Sequence, residues 1–117
     1  MPAATDIRDA IRAALRAAAD PERALQQQAY MKSEMPFLGV AVPQCRRIAA
    51  SAFRAHPLPD PDAWEAAILT LWRGAVFREE RYAAIELLTL PRCSRWLEPR
   101  RVPLIEELAI TGAWWDY

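Results

Sequence analysis

The sequence predicts an all-α protein in which antiparallel helical hairpins stack into an α-solenoid of about six helices. Apolar residues recur at helical spacing along most of the 117 residues, and no segment of five or more residues alternates convincingly between apolar and polar side chains. Ten prolines against three glycines are a third observation, because tight β-turns depend on glycine. We therefore expect helices joined by short connections.

Prolines beside acidic residues mark two helix starts. Asp20-Pro21-Glu22 and Asp60-Pro61-Asp62 each combine an N-cap, a proline in the first turn and an acid at the positive end of the helix dipole. Pro43 and Pro103 also suit first turns, where the missing N–H has no partner to lose. Three further prolines indicate helix ends or linkers, namely Pro57, Pro91 and Pro99.

Apolar stripes between these prolines define the helices. One stripe runs unbroken through Cys45, Ile48, Ala49, Ala52 and Phe53. The helix that starts at Arg78 is apolar on most faces, as expected for an interior helix. The predicted helices span residues 4–19, 22–34, 43–56, 61–75, 78–90 and 100–110, and a seventh begins near Ala113.

The helices recur in a regular rhythm. A helix of about 13 residues begins every 18 to 20 residues, so a pair occupies roughly 40. That period is typical of HEAT and armadillo (ARM-type) repeats, whose hairpins stack around a continuous core. We expect residues 1–117 to form a single HEAT-like helical domain with an incomplete last pair. A plain bundle is the alternative, because the pairs share no obvious residue identity.

Charge is balanced over the chain but not along it. The 15 basic and 15 acidic side chains give a net charge of zero, which argues against a polycation such as a histone-like protein. Residues 1–59 nevertheless carry a net charge of +3 and residues 60–117 carry −3. We find neither a signal-peptide hydrophobic region nor an 18-residue apolar run, and therefore expect a cytoplasmic protein with no membrane contact.

Arginine is concentrated in two clusters. Residues 43–58 contain no acid and hold Arg46, Arg47, Arg54 and His56. The second cluster comprises Arg92, Arg95, Arg100 and Arg101. Fourteen of the 15 basic residues are arginine, which suits phosphate because a guanidinium can bind two of its oxygens at once. A solvated helix face and a compositional bias that also enriches alanine and proline are the alternatives.

Aromatic residues supply the other candidate binding groups. Trp64 and Trp72 share one helical face and are expected in the core. Trp114 and Trp115 point about 100° apart on a helix, so one of them is expected to face a groove where it can stack on a nucleotide. Tyr30-Met31-Lys32 closes the second predicted helix and, by its pattern alone, indicates a packed connector.

Few residues support other chemistry. Cys45 and Cys93 fit no metal spacing, so reduced thiols are the first interpretation, with a disulfide or a metal ligand as alternatives. The single His56 and the absence of a phosphate-loop or nucleophile motif leave little support for nucleophilic catalysis. We expect no metal and no cofactor, and any catalysis would depend on aromatic and carboxylate groups.

A set of short segments is spread in order over nearly the whole chain: Tyr30-Met31-Lys32, Pro36-Phe37-Leu38-Gly39-Val40 with Pro43 and Arg46-Arg47, Leu71-Trp72, Arg78-Glu79 with Tyr82-Ala83-Ala84, and Pro103-Leu104-Ile105-Glu106-Glu107-Leu108 leading to Trp114-Trp115-Asp116. Together these segments resemble the AlkD-like DNA alkylation repair glycosylases. The resemblance implies a superhelix of HEAT-like repeats with a basic concave face, and double-stranded DNA with alkylated bases as the partner.

The resemblance also implies a reaction and a set of site residues. The family hydrolyses the N-glycosidic bond of cationic N-alkylated purines such as 3-methyladenine and 7-methylguanine. Trp115 matches a catalytic-cleft tryptophan, and the expected DNA-binding residues are Tyr30, Lys32, Arg46, Arg47 and Trp114. The family's catalytic Asp lies four residues beyond Trp115, past Tyr117. We therefore expect the N-terminal half of a glycosylase, inactive by itself.

Two other hypotheses remain at the level of sequence. The chain is a non-catalytic HEAT-like module that binds nucleic acid or a protein partner, or it is a shortened product that dimerises through the unburied face of its incomplete C-terminal helix. Loss of DNA binding at high salt separates a DNA partner from a protein partner, because phosphate contacts release counterions.

Overall fold

The computed structural model describes residues 2–31 and 35–111, and every regular element within them is helical. Six α-helices are present: α1 Pro2–Ala17, α2 Pro21–Met31, α3 Val42–Ala55, α4 Pro61–Arg73, α5 Arg78–Leu88 and α6 Val102–Thr111. Two short 3-10 helices, Pro91–Trp96 and Pro99–Arg101, connect α5 to α6. The prediction of an all-α helical repeat fold is confirmed. The expected seventh helix near Ala113 lies outside the described residues.

Helix starts follow the proline pattern. The Asp60 carboxylate accepts a hydrogen bond from the Ala63 N–H at 2.8 Å and so caps α4, and the Asp20 carboxylate accepts one from the Arg23 N–H at 3.2 Å at the start of α2. The prediction missed both 3-10 helices as separate elements, and Pro91 and Pro99 each start one of them rather than marking a helix end or a linker. A 3-10 helix repeats every three residues, so these short elements leave no 3.6-residue apolar period in the sequence.

The helices form two layers. In one layer α1 packs against α4, and in the other α3 packs against α5, which also contacts α4. The interface between the layers is the core, and its largest fully buried side chains include Ile7, Ile11, Trp64, Ile68 and Leu87. Nine of the eleven residues of α5 are buried, which confirms the predicted interior helix.

Tryptophans join the layers at one end of the core. Trp64 is fully buried, and its indole N–H donates to the Leu87 carbonyl at 2.9 Å. Its ring centroid lies 5.9 Å from that of Trp96, which is covered on another side by the Arg95 guanidinium at 5.5 Å. The predicted core position of Trp64 is therefore confirmed, and Trp96 fixes the first 3-10 helix against it.

Polar contacts attach α6 to α4 and α5. The Arg73 guanidinium donates to both carboxylate oxygens of Glu107 at 2.7 and 2.5 Å, and this ion pair lowers the pKa of Glu107. The indole N–H of Trp72 donates to the Thr111 hydroxyl at 2.7 Å, and Arg81 donates to the Thr111 carbonyl at 3.0 Å. Among the described residues no helix is long and apolar enough to span a membrane.

Candidate nucleic-acid interface

A cleft of about 420 Å³ opens between α2 and the α3–α5 pair. It is lined by Arg23, Gln26, Gln27, Tyr30, Phe37, Val42 and Tyr82. The lining combines three aromatic rings with one guanidinium and two amides, and it includes no carboxylate from the described part of the chain. Such a surface can hold a flat, polar ring system between aromatic faces.

The aromatic groups of the cleft differ in how firmly they are held. Tyr82 is 4% exposed, and its ring centroid lies 6.4 Å from that of Phe37 in a tilted arrangement. The Arg78 guanidinium lies 5.8 Å from the ring centroid of Tyr82. Tyr30, by contrast, is 85% exposed at the end of α2. The cleft therefore has a packed aromatic floor and one aromatic wall that projects into solvent.

A buried carboxylate on α5 holds the floor in place. Glu79 is fully buried and accepts three backbone N–H bonds, from Leu38 at 2.9 Å, Gly39 at 2.9 Å and Val40 at 3.0 Å. These residues belong to the connector, residues 36–40, which joins α2 to α3 and carries Phe37. The three N–H donors satisfy the buried charge of the carboxylate, and the carboxylate in turn satisfies the backbone N–H groups of the connector.

The connector in turn touches the beginning of α2. The Asp20 N–H donates to the Leu38 carbonyl at 2.8 Å. Gly39 has a φ of +90°, and a Cβ at this position would collide with the Asp20 carbonyl oxygen. Only glycine permits both this backbone conformation and this close approach. The glycine of the Phe-Leu-Gly sequence is thus explained by contact with α2.

A second surface, the α3/α5 seam, leads away from the cleft. We define it by Arg46, Ala50 and Arg54 on α3 together with Glu86 and Arg92 on the other side. Arg46 donates to the carboxylate of the buried Glu86 at 3.1 Å, while 65% of the Arg46 side chain stays exposed. Arg54 and Arg92 flank a notch of about 210 Å³ lined by Phe53, Leu90 and Pro91.

The spacing along the seam is compatible with contacts to a DNA backbone. Arg46 and Arg54 lie eight residues apart on one helix, which is about 12 Å along its axis. Because DNA rises about 3.4 Å per base pair, this distance spans between three and four base pairs. Arginines at this interval can contact phosphates that are separated by several base pairs while a base or its edge lies at the cleft.

A comparison with protein families decides the class of this protein. The family model described as DNA alkylation repair enzyme matches residues 11–117. The chain belongs to this family. None of the curated proteins compared with the chain matches it at a significant level. Membership of a DNA alkylation repair family implies that DNA is the substrate or the partner, and it confirms the family resemblance stated from sequence.

The site residues predicted from sequence fall into three groups. Tyr30 lines the cleft and Arg46 lies on the adjacent seam. Arg47 faces elsewhere, in a groove between α1 and α3 that also contains Gln44 and His56. Lys32, Trp114 and Trp115 lie outside the described residues, as does Asp116. Among the described residues, Tyr30 thus lies on the cleft, Arg46 on the seam and Arg47 on neither.

Sequence reasoning misses several residues of this interface. Phe37, Glu79 and Tyr82 enter the sequence prediction only as parts of family-like segments, and none of them is assigned a role in the site. One signal could have found Tyr82, and another could have excluded Arg47. Tyr82 and Glu86 are four residues apart on an interior helix, so they share one face. Arg46 and Arg47 are adjacent, so they point about 100° apart and cannot both face the same groove.

The two cysteines lie outside this interface and are free and fully buried. Burial and the nearby Glu79 and Glu86 carboxylates raise the pKa of Cys45 to about 12, and burial raises the pKa of Cys93 to about 11. Both thiols are therefore protonated near neutral pH. Within residues 2–31 and 35–111 no cluster of three or more His, Cys, Asp or Glu side chains is arranged to hold a metal ion.

Proposed function

We propose that residues 1–117 bind duplex DNA with the cleft and the α3/α5 seam, and that this surface serves a reaction on cationic N-alkylated purines such as 3-methyladenine and 7-methylguanine. The observation that carries the proposal is the position of the aromatic cleft directly beside a line of arginines. Within a DNA alkylation repair family, this combination suits a ligand with both a flat base and a phosphate backbone.

The chemistry of an alkylated purine explains why aromatic groups matter. An N-alkylated purine carries a positive charge and is already a good leaving group, so hydrolysis of its N-glycosidic bond needs no general acid. Aromatic ring faces attract such a cation, and a carboxylate stabilises the positive charge that develops on the sugar. We propose that Tyr30 and Tyr82 supply ring faces. Trp114 and Trp115 add further ring faces, and Lys32 contacts the DNA backbone.

The carboxylate is the part that the described cleft does not contain. Glu79 and Glu86, the buried acids on the same face of α5 as Tyr82, are engaged with the connector and with Arg46. The resemblance assigns this role to an Asp four residues beyond Trp115. We therefore propose that residues 1–117 assayed alone bind alkylated DNA and release no base. Clear release of 7-methylguanine from a methylated duplex would contradict this.

The binding surface is tested by removing two charges from the seam. We expect Arg46→Gln with Arg54→Gln to weaken binding of a methylated duplex and to flatten the salt dependence of log K by about 0.9 for each phosphate that is no longer bound. Glutamine at position 46 keeps an N–H donor for Glu86. Fluorescence anisotropy at several salt concentrations measures both quantities.

A matched control removes two charges from the other layer. Arg8 and Arg73 line a groove between α1 and α4, and each pairs with an acid, as Arg46 does. The variant Arg8→Gln with Arg73→Gln has the same net charge as the seam variant, and we expect a wild-type salt slope. Equal losses of affinity in both variants would mean that DNA does not lie on the seam. If the affinity of the wild type and of both variants for DNA does not depend on salt concentration, a protein partner is favoured instead.

A further inference from the structure

We propose that Glu79 is a positioning residue for DNA binding, because its carboxylate fixes the connector against which α2, the exposed wall of the cleft, is placed. This inference rests on the proposed function, since it concerns the affinity of that same cleft. Glu79 does not line the cleft and is fully buried, so it acts only through other residues.

Among the described residues, helix α2 buries little of its own surface against the rest of the molecule. None of residues 21–30 is fully buried, and Leu25, the large aliphatic side chain of the helix, is 73% exposed. The contacts that fix its beginning come from the connector, through the Leu38 carbonyl and the close approach of Gly39 to Asp20. The position of Arg23 and Tyr30 relative to Tyr82 therefore depends on the connector.

The connector depends on both oxygens of Glu79. One oxygen accepts the Leu38 N–H, and the other accepts the N–H groups of Gly39 and Val40. A glutamine has one oxygen and one NH₂ group, so in either orientation an NH₂ donor would face at least one backbone N–H. Glu79→Gln thus leaves the size of the side chain unchanged and breaks part of the connector's hydrogen bonding.

Glu80 provides a matched control on the next residue of α5. It is 3% exposed, accepts the N–H groups of Val76 at 2.7 Å and Phe77 at 2.9 Å, and pairs with Arg12 at 2.6 Å. Glu80→Gln therefore disturbs a buried carboxylate of the same kind that serves the α4–α5 turn. None of its partners lines the cleft.

The experiment compares the two variants by hydrogen exchange and by affinity for a methylated duplex. We expect Glu79→Gln to speed exchange of the amides in α2 and at residues 38–40 while those of α4 stay protected. If α2 is then in position about a tenth of the time, affinity falls about tenfold. The salt slope should stay unchanged, because the seam arginines are intact. Glu80→Gln should lower stability with wild-type exchange in α2 and wild-type affinity.

Each other outcome overturns the inference or separates it from the proposed function. Equal losses of affinity in both variants, or wild-type exchange in α2 of Glu79→Gln, would show that Glu79 only supports folding. If the wild-type chain does not bind DNA, the proposed function fails, while exchange in α2 still decides whether Glu79 positions that helix. If Glu79→Gln does not fold, Asp20→Ala takes its place in the experiment. Asp20 is exposed and its carboxylate accepts a hydrogen bond at the start of α2, so this variant weakens that end of the helix. Unchanged affinity despite faster exchange in α2 would then overturn the inference.

Discussion

Helices α2 and α5 have the same length of eleven residues and contribute to the same cleft, yet they are held in opposite ways. Nine residues of α5 are buried, including all three of its glutamates, whereas none of residues 21–30 of α2 is fully buried. Each glutamate of α5 reaches a different segment: Glu79 the connector, Glu80 α1 and Glu86 α3.

This difference separates two uses of charged residues. On α5, buried carboxylates satisfy backbone N–H groups and arginines from distant segments, so removing one partner leaves a buried group unpaired. On α2, the polar residues Arg23, Gln26 and Gln27 line an open cleft and are available to a ligand. The helix that offers the most binding groups is thus the one with the fewest buried contacts.

The largest expected effect comes from shortening a leucine on each helix. Leu87 of α5 is fully buried and Leu25 of α2 is 73% exposed. Leu87→Ala should cost about 2–5 kcal/mol of the free energy of unfolding because it leaves a cavity. Leu25→Ala should change it by less than about 0.5 kcal/mol. Urea unfolding measures both, and similar costs would contradict the contrast between the helices.

An intermediate effect is expected at the joint between the helices. Gly39→Ala places a Cβ at a φ of +90° and against the Asp20 carbonyl, and it should cost about 1–3 kcal/mol. Gly74→Ala is the control, since Gly74 has a φ of −93° and its Cβ would meet the Arg12 guanidinium at 2.8 Å and the Thr70 carbonyl oxygen at 3.1 Å, and it should cost less than Gly39→Ala. Only Gly39→Ala should speed amide exchange in α2, and the same change in Gly74→Ala would argue against a specific joint.

The smallest expected effect is a decrease in the free energy of unfolding at alkaline pH, caused by the Cys45 thiol buried behind the connector. The Cys45 thiol lies 3.9 Å from the Val40 carbonyl oxygen, and its pKa is raised from 9.0 to about 12. The unfolded chain therefore loses this proton first, so stability is complete below pH 9 and falls as the pH rises from 9 to about 12. Between pH 8 and 10 the loss should be about 1 kcal/mol.

Cys45→Ala isolates this effect from other groups that titrate in alkali. Urea midpoints of the variant should fall less steeply between pH 8 and 10 than those of the wild type, even if the variant is less stable at every pH. Parallel curves for the two proteins would mean that the Cys45 thiol ionises as easily in the folded chain as in the unfolded one.

The helices were predictable because local signals mark them. Asp20, Asp60 and the prolines that follow them place two helix starts, and the apolar stripe of α3 places its buried face. The 3-10 helices between residues 91 and 101 were not predictable, since their short repeat leaves no helical period. The single-domain and N-terminal-half interpretations stay predictions.

The interface was predictable only in part, because it depends on contacts between distant segments. Tyr30 and Arg46 came from family resemblance, and their roles, like those of Lys32, Arg47, Trp114 and Trp115, stay predictions. The hydrogen bond from the Gly39 N–H to Glu79 joins residues forty positions apart, and a glutamate at a helix start looks like an ordinary dipole-stabilising acid. Only the buried position of α5 reveals that this carboxylate must find internal partners.

The exposure of α2 has a consequence for variation among proteins of this kind. Because substitutions at Arg23, Gln26, Gln27 and Tyr30 cost little folding energy, natural selection or a randomised library can alter these positions with the fold intact. Substitutions at the buried carboxylates of α5 have no such freedom. Under the proposed function, new base preferences would therefore arise on α2 through single, individually tolerated steps.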